Sequence, residues 1–213
     1  MKKQRQKPII ATPREDGNAT KALIIDCAGK LIAEHGYAKT TSKSICEKAN
    51  TNIAAVNYHF GGRDGLYIAV LEEVHKHLIN VDKLAQLWSG NLSPKDKLEA
   101  FLDIYISALE ENSWHVKVWA REILNPSPFI NQIVTKEALP KFRIVTKIFS
   151  EYTGLTPEDP KLYSCILSVM SPFILLFLAT NNNTLLKALP VKYSRDELIA
   201  HLKQFALELK AVK

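Results

Sequence analysis

The chain has 213 residues, 46% of them hydrophobic and 23% charged, which excludes a disordered or fibrous protein and leaves room for a sizeable core. The three cysteines, Cys27, Cys46 and Cys165, are isolated, with no CxxC pair or disulfide framework, and the charged N-terminus lacks the apolar run of a signal peptide, so a cytoplasmic protein is expected. The net charge of +6 is unevenly spread: through Tyr67 eleven Lys/Arg face six Asp/Glu, whereas the remainder is nearly balanced, as expected if the first third meets a polyanion.

Residues 1–17 lack periodicity and hold two prolines, which predicts a flexible basic arm. A helix is expected from about 18 to 35, capped by Asn18 and ended by Gly36, with Leu23, Ile24, Cys27, Leu31 and Ile32 at three- and four-residue spacing. A short helix then starts at Thr41 or Ser42 and runs to Ala49. It stops at Asn50, a residue type that tolerates positive φ. Thr51 and Asn52 lead into a second short helix ending near His59. A longer helix over 64–81 follows the Gly61-Gly62 pair, with a stripe of Leu66, Ile68, Ala69, Leu71, Val74 and Leu78. Two short helices around a tight turn, behind a longer one, make a helix-turn-helix.

From about residue 85 the pattern is one of longer helices with their own start signals. Ser93-Pro94 and Thr156-Pro157 each place a cap before a proline, and Ser194-Arg195-Asp196-Glu197 reads as a capping box. Asn125-Pro126-Ser127-Pro128 and Gly154 mark breaks. The longest apolar run, 165–180, carries Ser168, Ser171 and Pro172 and is shorter than a bilayer span, so a buried helix is expected. The whole predicts an all-α fold of about nine helices.

The stretch NIAAVNYHF (52–60) carries the chemistry. Asn57, Tyr58 and His59 stand together where a core helix would place apolar groups. No nucleophile–base pattern accompanies His59, and His75 and His77, two apart on a helix, diverge rather than converge on a metal. Neither an enzyme, nor a metal site, nor a cofactor is expected. A recognition helix fits instead. Ala54 and Ala55 permit close approach to a groove, and Asn52 and Asn57 offer hydrogen bonds to base edges. Ile53 suits a thymine methyl, and Tyr58 and His59 suit phosphate oxygens.

Residues 18–67 resemble the DNA-binding domain of TetR-family transcriptional regulators. The likeness rests on Gly36-Tyr37 after the first helix, Thr40-Thr41, Ile45, Ala49, and the Tyr58-His59-Phe60 ending followed by Leu66. Asn50 stands where the turn commonly has Gly, and Gly61-Gly62-Arg63 replaces a loop that often carries a basic phosphate contact. The resemblance implies a homodimeric repressor whose larger C-terminal domain, here 68–213, binds a small molecule and dimerises. It implies phosphate contacts from Thr41, Ser42, Lys43, Tyr58 and His59, from Arg63 or the bare amides at the start of the next helix, and a groove-facing set of Asn52, Ile53, Ala54 and Asn57. Phe60, Ile45, Val56 and Leu66 are expected in the core, with Cys46 at a helix crossing.

The segment 119–142, with its Arg-Glu, Pro-x-Pro and later Pro, resembles the ligand domain of the CecR-like subgroup, associated with control of transport and drug-tolerance genes. Candidate pocket residues are Tyr105, Trp114, Trp119, Met170 and Phe173, with Arg121, Glu122, His115 or Asn125 giving direction. The helices over 165–180 and 194–211 suit a dimer-forming four-helix bundle. The expected partners are an operator duplex, a second copy of the chain and a small apolar effector that releases the DNA. The alternatives are a helical small-molecule-binding protein or enzyme with a DNA-binding head, and a DNA-binding module without a ligand.

Overall fold

The computed structural model describes residues 13–111, 113–182 and 194–209. The expected arm falls largely on residues 1–12, outside the described residues. Residues 13–17, expected within the arm, instead form the first turn of α1 (Pro13–His35), and Asn18 lies inside that helix rather than capping it. The reason is proline chemistry: Pro13 lacks the N–H that the first helical position leaves unpaired anyway.

The helices that follow are α2 (Ser42–Lys48), α3 (Ile53–Phe60), α4 (Arg63–Leu78), α5 (Val81–Ser89), α6 (Pro94–Glu110) and α7 (Trp114–Leu124). Then come α8 (Ile130–Ile133), α9 (Leu139–Thr153), α10 (Pro160–Asn182) and α11 (Arg195–Leu207), with a 3-10 turn at Tyr37–Lys39. The fold is all-α, and the chain divides into compact units at 1–70 and 71–213, a boundary that falls inside α4.

In the first unit α1 packs on α2 and α2 on α3 around Ile24, Cys27, Ala28, Ile45, Cys46, Val56 and Leu66, all nearly inaccessible. In the second, α5, α6 and α10 pack on α9, and α11 on α6 and α10, around Leu98, Phe101, Phe149 and Leu162. Deep in that unit Lys97 sits 3.0 Å from the Glu151 carboxylate and 4.8 Å from the Trp88 ring centre, so its buried charge has partners on two sides.

Several starts follow the expected devices. Ser93 caps α6 ahead of Pro94, and Ser194 and Glu197 form the capping box of α11. The Thr156-Pro157 signal acts later than expected: Asp159 accepts from the Lys161 amide at 2.9 Å, and α10 begins at Pro160. Between α8 and α9, Val134–Ala138 form a π-helical turn that carries the chain on without a break. Helix α10 differs from the buried helix expected. It continues through Pro172, and only 33% of the window Pro160–Phe177 is buried, with Leu167 and Leu175 exposed. By length and composition alone that window is also apolar enough to cross a membrane.

Candidate nucleic-acid interface and ligand cavity

The turn between α2 and α3 is built from backbone pairing. Asn50 adopts φ 48°, the Asn50 amide donates to the Glu47 carbonyl at 3.3 Å, and the Thr51 amide donates to the Cys46 carbonyl at 3.0 Å. This is the Schellman pairing, with Asn in the left-handed position that glycine usually fills. Thr41 caps α2 in a reciprocal box with Ser44, and Gly61, at φ 71°, closes α3. The result is a short helix whose buried anchor is Val56 and whose other face is open.

On that open face Tyr58 is 85% exposed and Ile53 51%, values that no packing role within the unit explains. Ala54 and Asn57 are exposed beside them, and His59 is half-buried, with its ring edge-on to Tyr58. Thr41 and Lys43 are exposed at the start of α2 and Ser42 is half-buried. The expected contact residues thus share the α2–α3 corner. Asn52 has a structural duty: its Oδ1 accepts from the Ala55 amide at 2.9 Å as the cap of α3, which leaves its side-chain NH2 as its remaining polar group.

Two placements differ from the sequence reading. The Arg63 guanidinium lies 4.2 Å from the Tyr37 ring centre and donates to the Tyr37 carbonyl. A phosphate contact from Arg63 therefore requires it to leave that seat. Phe60, expected in the core, is half-buried, with the Lys21 ammonium 5.9 Å from its ring centre. The Tyr37 hydroxyl donates to Asp64, and burial together with that bond pushes it up to about 12.

The second unit contains a cavity of about 250 Å3 between α4, α6, α7, α9 and α10. Tyr105, Trp119 and Met170 line it, as expected from sequence, together with His75, Leu78, Phe142 and Lys141. Trp114, His115, Arg121, Asn125 and Phe173 do not. Trp114 and His115 stack on one another at the start of α7, and His115 stacks in turn on His77. Arg121 is exposed, and Asn125 is the exposed end of α7. Phe173 is buried edge-on against Tyr105, in the core behind the cavity wall. Glu122, one residue after Arg121, is buried and accepts from the Ser127 amide and hydroxyl, which fixes the break after α7.

His75 and Lys141 carry the polar chemistry that sequence reasoning missed. The sequence reading takes His75 only as a candidate metal ligand and gives Lys141 no role of its own. Burial, with the nearby Lys141 charge, lowers His75 to about 4, so its imidazole is neutral at physiological pH. Burial also lowers Lys141, whose ammonium donates to the His75 carbonyl. Among the described residues no group of three His, Cys, Asp or Glu side chains is arranged to hold a metal ion.

Residues 24–70 match the family described as bacterial regulatory proteins, tetR family. Residues 94–212, more than half the chain, match the HTH-type transcriptional dual regulator CecR, C-terminal domain. The chain is 24% identical to the probable HTH-type transcriptional regulator YttP of Bacillus subtilis over 136 residues, covering 62% of this chain and 64% of that one. It is 27% identical to the HTH-type transcriptional regulator BetI of Burkholderia cenocepacia over 111 residues, covering 50% and 56%. Both matches span less than two thirds of the relative's length. The fold is similar to that of the fatty acid degradation regulator FadR from Bacillus halodurans, with a TM-score of 0.68 over 94% of this chain and 97% of that one; at 15% identity the likeness is one of fold alone.

Proposed function

We propose how this chain works from one premise: it belongs to the TetR family of bacterial regulatory proteins and carries a CecR-type C-terminal domain. It is a DNA-binding transcriptional regulator. The finer reading is of a repressor that sits in the cytoplasm as a homodimer on a pseudo-palindromic operator and is released by a small, largely apolar effector.

The single observation that carries the DNA-binding part is the open face of α3, where Tyr58 and Ile53 stand exposed on a helix whose other side is anchored by Val56. Asn52, Ile53, Ala54 and Asn57 face the major groove in this reading. Thr41, Ser42, Lys43, Tyr58 and His59 reach phosphates, with Arg63 held in reserve on Tyr37. Dimerisation falls to α10 and α11, whose apolar Leu167, Leu175 and Phe205 are more than half exposed in the single chain. The apolar cavity favours a regulator with an effector over a ligand-independent module. Effector binding shifts the population towards dimers whose two α3 helices no longer match one turn of DNA.

A gel-shift titration with the intergenic DNA upstream of the gene tests the reading. Preference for that DNA over random duplex at moderate salt is the expected result, and equal affinity for both would refute it. Tyr58→Phe removes a phosphate donor without touching the core, so it should weaken binding several-fold on every sequence alike.

A further inference from the structure

The cavity in the second unit is lined almost wholly by carbon: Leu78, Tyr105, Trp119, Phe142, Val145 and Met170 supply most of its wall. One charge interrupts that wall. The Lys141 ammonium gives one of its three donors to the His75 carbonyl, and among the described residues it forms no ion pair. None of the described lining residues is a carboxylate, and the neutral imidazole of His75 supplies no counter-charge. Glu137, one turn back, acts on Lys141 at longer range without a direct ion pair, and burial outweighs it; an anion in the apolar wall relieves that cost.

The backbone next to this charge is also unusual. The π turn at Val134–Ala138 immediately precedes it, and Ala138 and Lys141 both line the cavity. Single π turns inside helices recur at functional sites, because the extra residue re-aims the side chains that follow. Glu72 and Lys136 pair at 2.6 Å and tie that turn to α4. A cavity of about 250 Å3 is at the small end of ligand sites and suits an organic molecule on the order of ten heavy atoms.

We propose that the effector is an apolar monocarboxylate of about that size, its carboxylate paired with Lys141 and its hydrocarbon body against Tyr105, Trp119, Phe142 and Met170. The inference rests on the reading of this cavity as the effector site and adds the charge of the ligand to it. A cationic amphiphile is selected against, because Lys141 repels it in surroundings of low dielectric.

Isothermal titration of the full chain with octanoate, octanamide and octylammonium at neutral pH separates the charge states at nearly constant shape. Octanoate is expected to bind at least tenfold more tightly than octanamide, with octylammonium weakest, and Lys141→Gln should bring acid and amide within about twofold. The comparison on the unaltered protein holds even if that variant folds poorly. Amide or ammonium binding as tightly as the acid overturns the assignment of charge while leaving the cavity as the effector site. Binding of none of the three overturns this proposal and the cavity reading together.

Discussion

At the scale of single residues, two polar side chains are tied to backbone geometry in ways that can be measured. Asn50 sits at φ 48°, where a β-carbon without a local hydrogen bond is strained by about 1–2 kcal/mol. Asn50→Ala should therefore lower the melting temperature, whereas Asn50→Gly should leave it close to the parent value; equal losses in both would show that side-chain contacts, not φ, decide the position. His75 makes a pH prediction. Its folded value of about 4 lies below the unfolded value near 6.5, so between these limits the unfolded chain holds more protons. Stability from this group is complete above about pH 6.5 and is lost as the pH falls towards 4, by on the order of 3 kcal/mol. His75→Gln should flatten that part of the stability curve in urea titrations from pH 7.5 to 4.5.

At the scale of elements, the corner between α3 and α4 admits very little change. A β-carbon added at Gly65 would stand 1.9 Å from the Phe60 carbonyl oxygen, inside any permissible contact and against backbone that cannot swing away. Gly65→Ala should loosen α3 from α4 and remove operator binding while the CD of the C-terminal unit stays intact; full DNA affinity in that variant would contradict the geometry. This corner also shows what a sequence reveals. Caps and turns were legible because they are local: Thr41, Asn50, Gly61, Ser93 and Ser194 act through bonds a few residues away. The exposed face of α3 was legible for the same reason, since its polar run has no apolar stripe to hide. The cavity was not, because it depends on which faces of α4, α6, α9 and α10 meet across some ninety residues of chain. Tyr105, Trp119 and Met170 were found as large apolar groups, but the same criterion also chose Trp114 and Phe173, which stack or pack elsewhere. His75 and Lys141 gave no signal, since a single basic residue on a helix looks solvated until burial is known.

At the scale of the whole molecule, the proposed dimer uses the exposed apolar positions of α10 and α11 as its shared face. Leu167→Glu combined with Leu175→Glu should shift light-scattering mass from dimer to monomer and abolish binding to a two-half-site operator, while each single half-site is held only weakly. A dimer that survives both charges would move the interface elsewhere. In the proposed complex, a drift of the DNA target over generations meets one local constraint. Ile53, Ala54 and Asn57 can drift without loosening α3, but Asn52 also holds the first turn of that helix through the Ala55 amide. Only Ser, Thr, Asp and Gly can replace it at modest cost, because other side chains forfeit the cap. In the proposed complex the base met at that position is then drawn from a short list, so retargeting through it is slower and more discrete than through its neighbours.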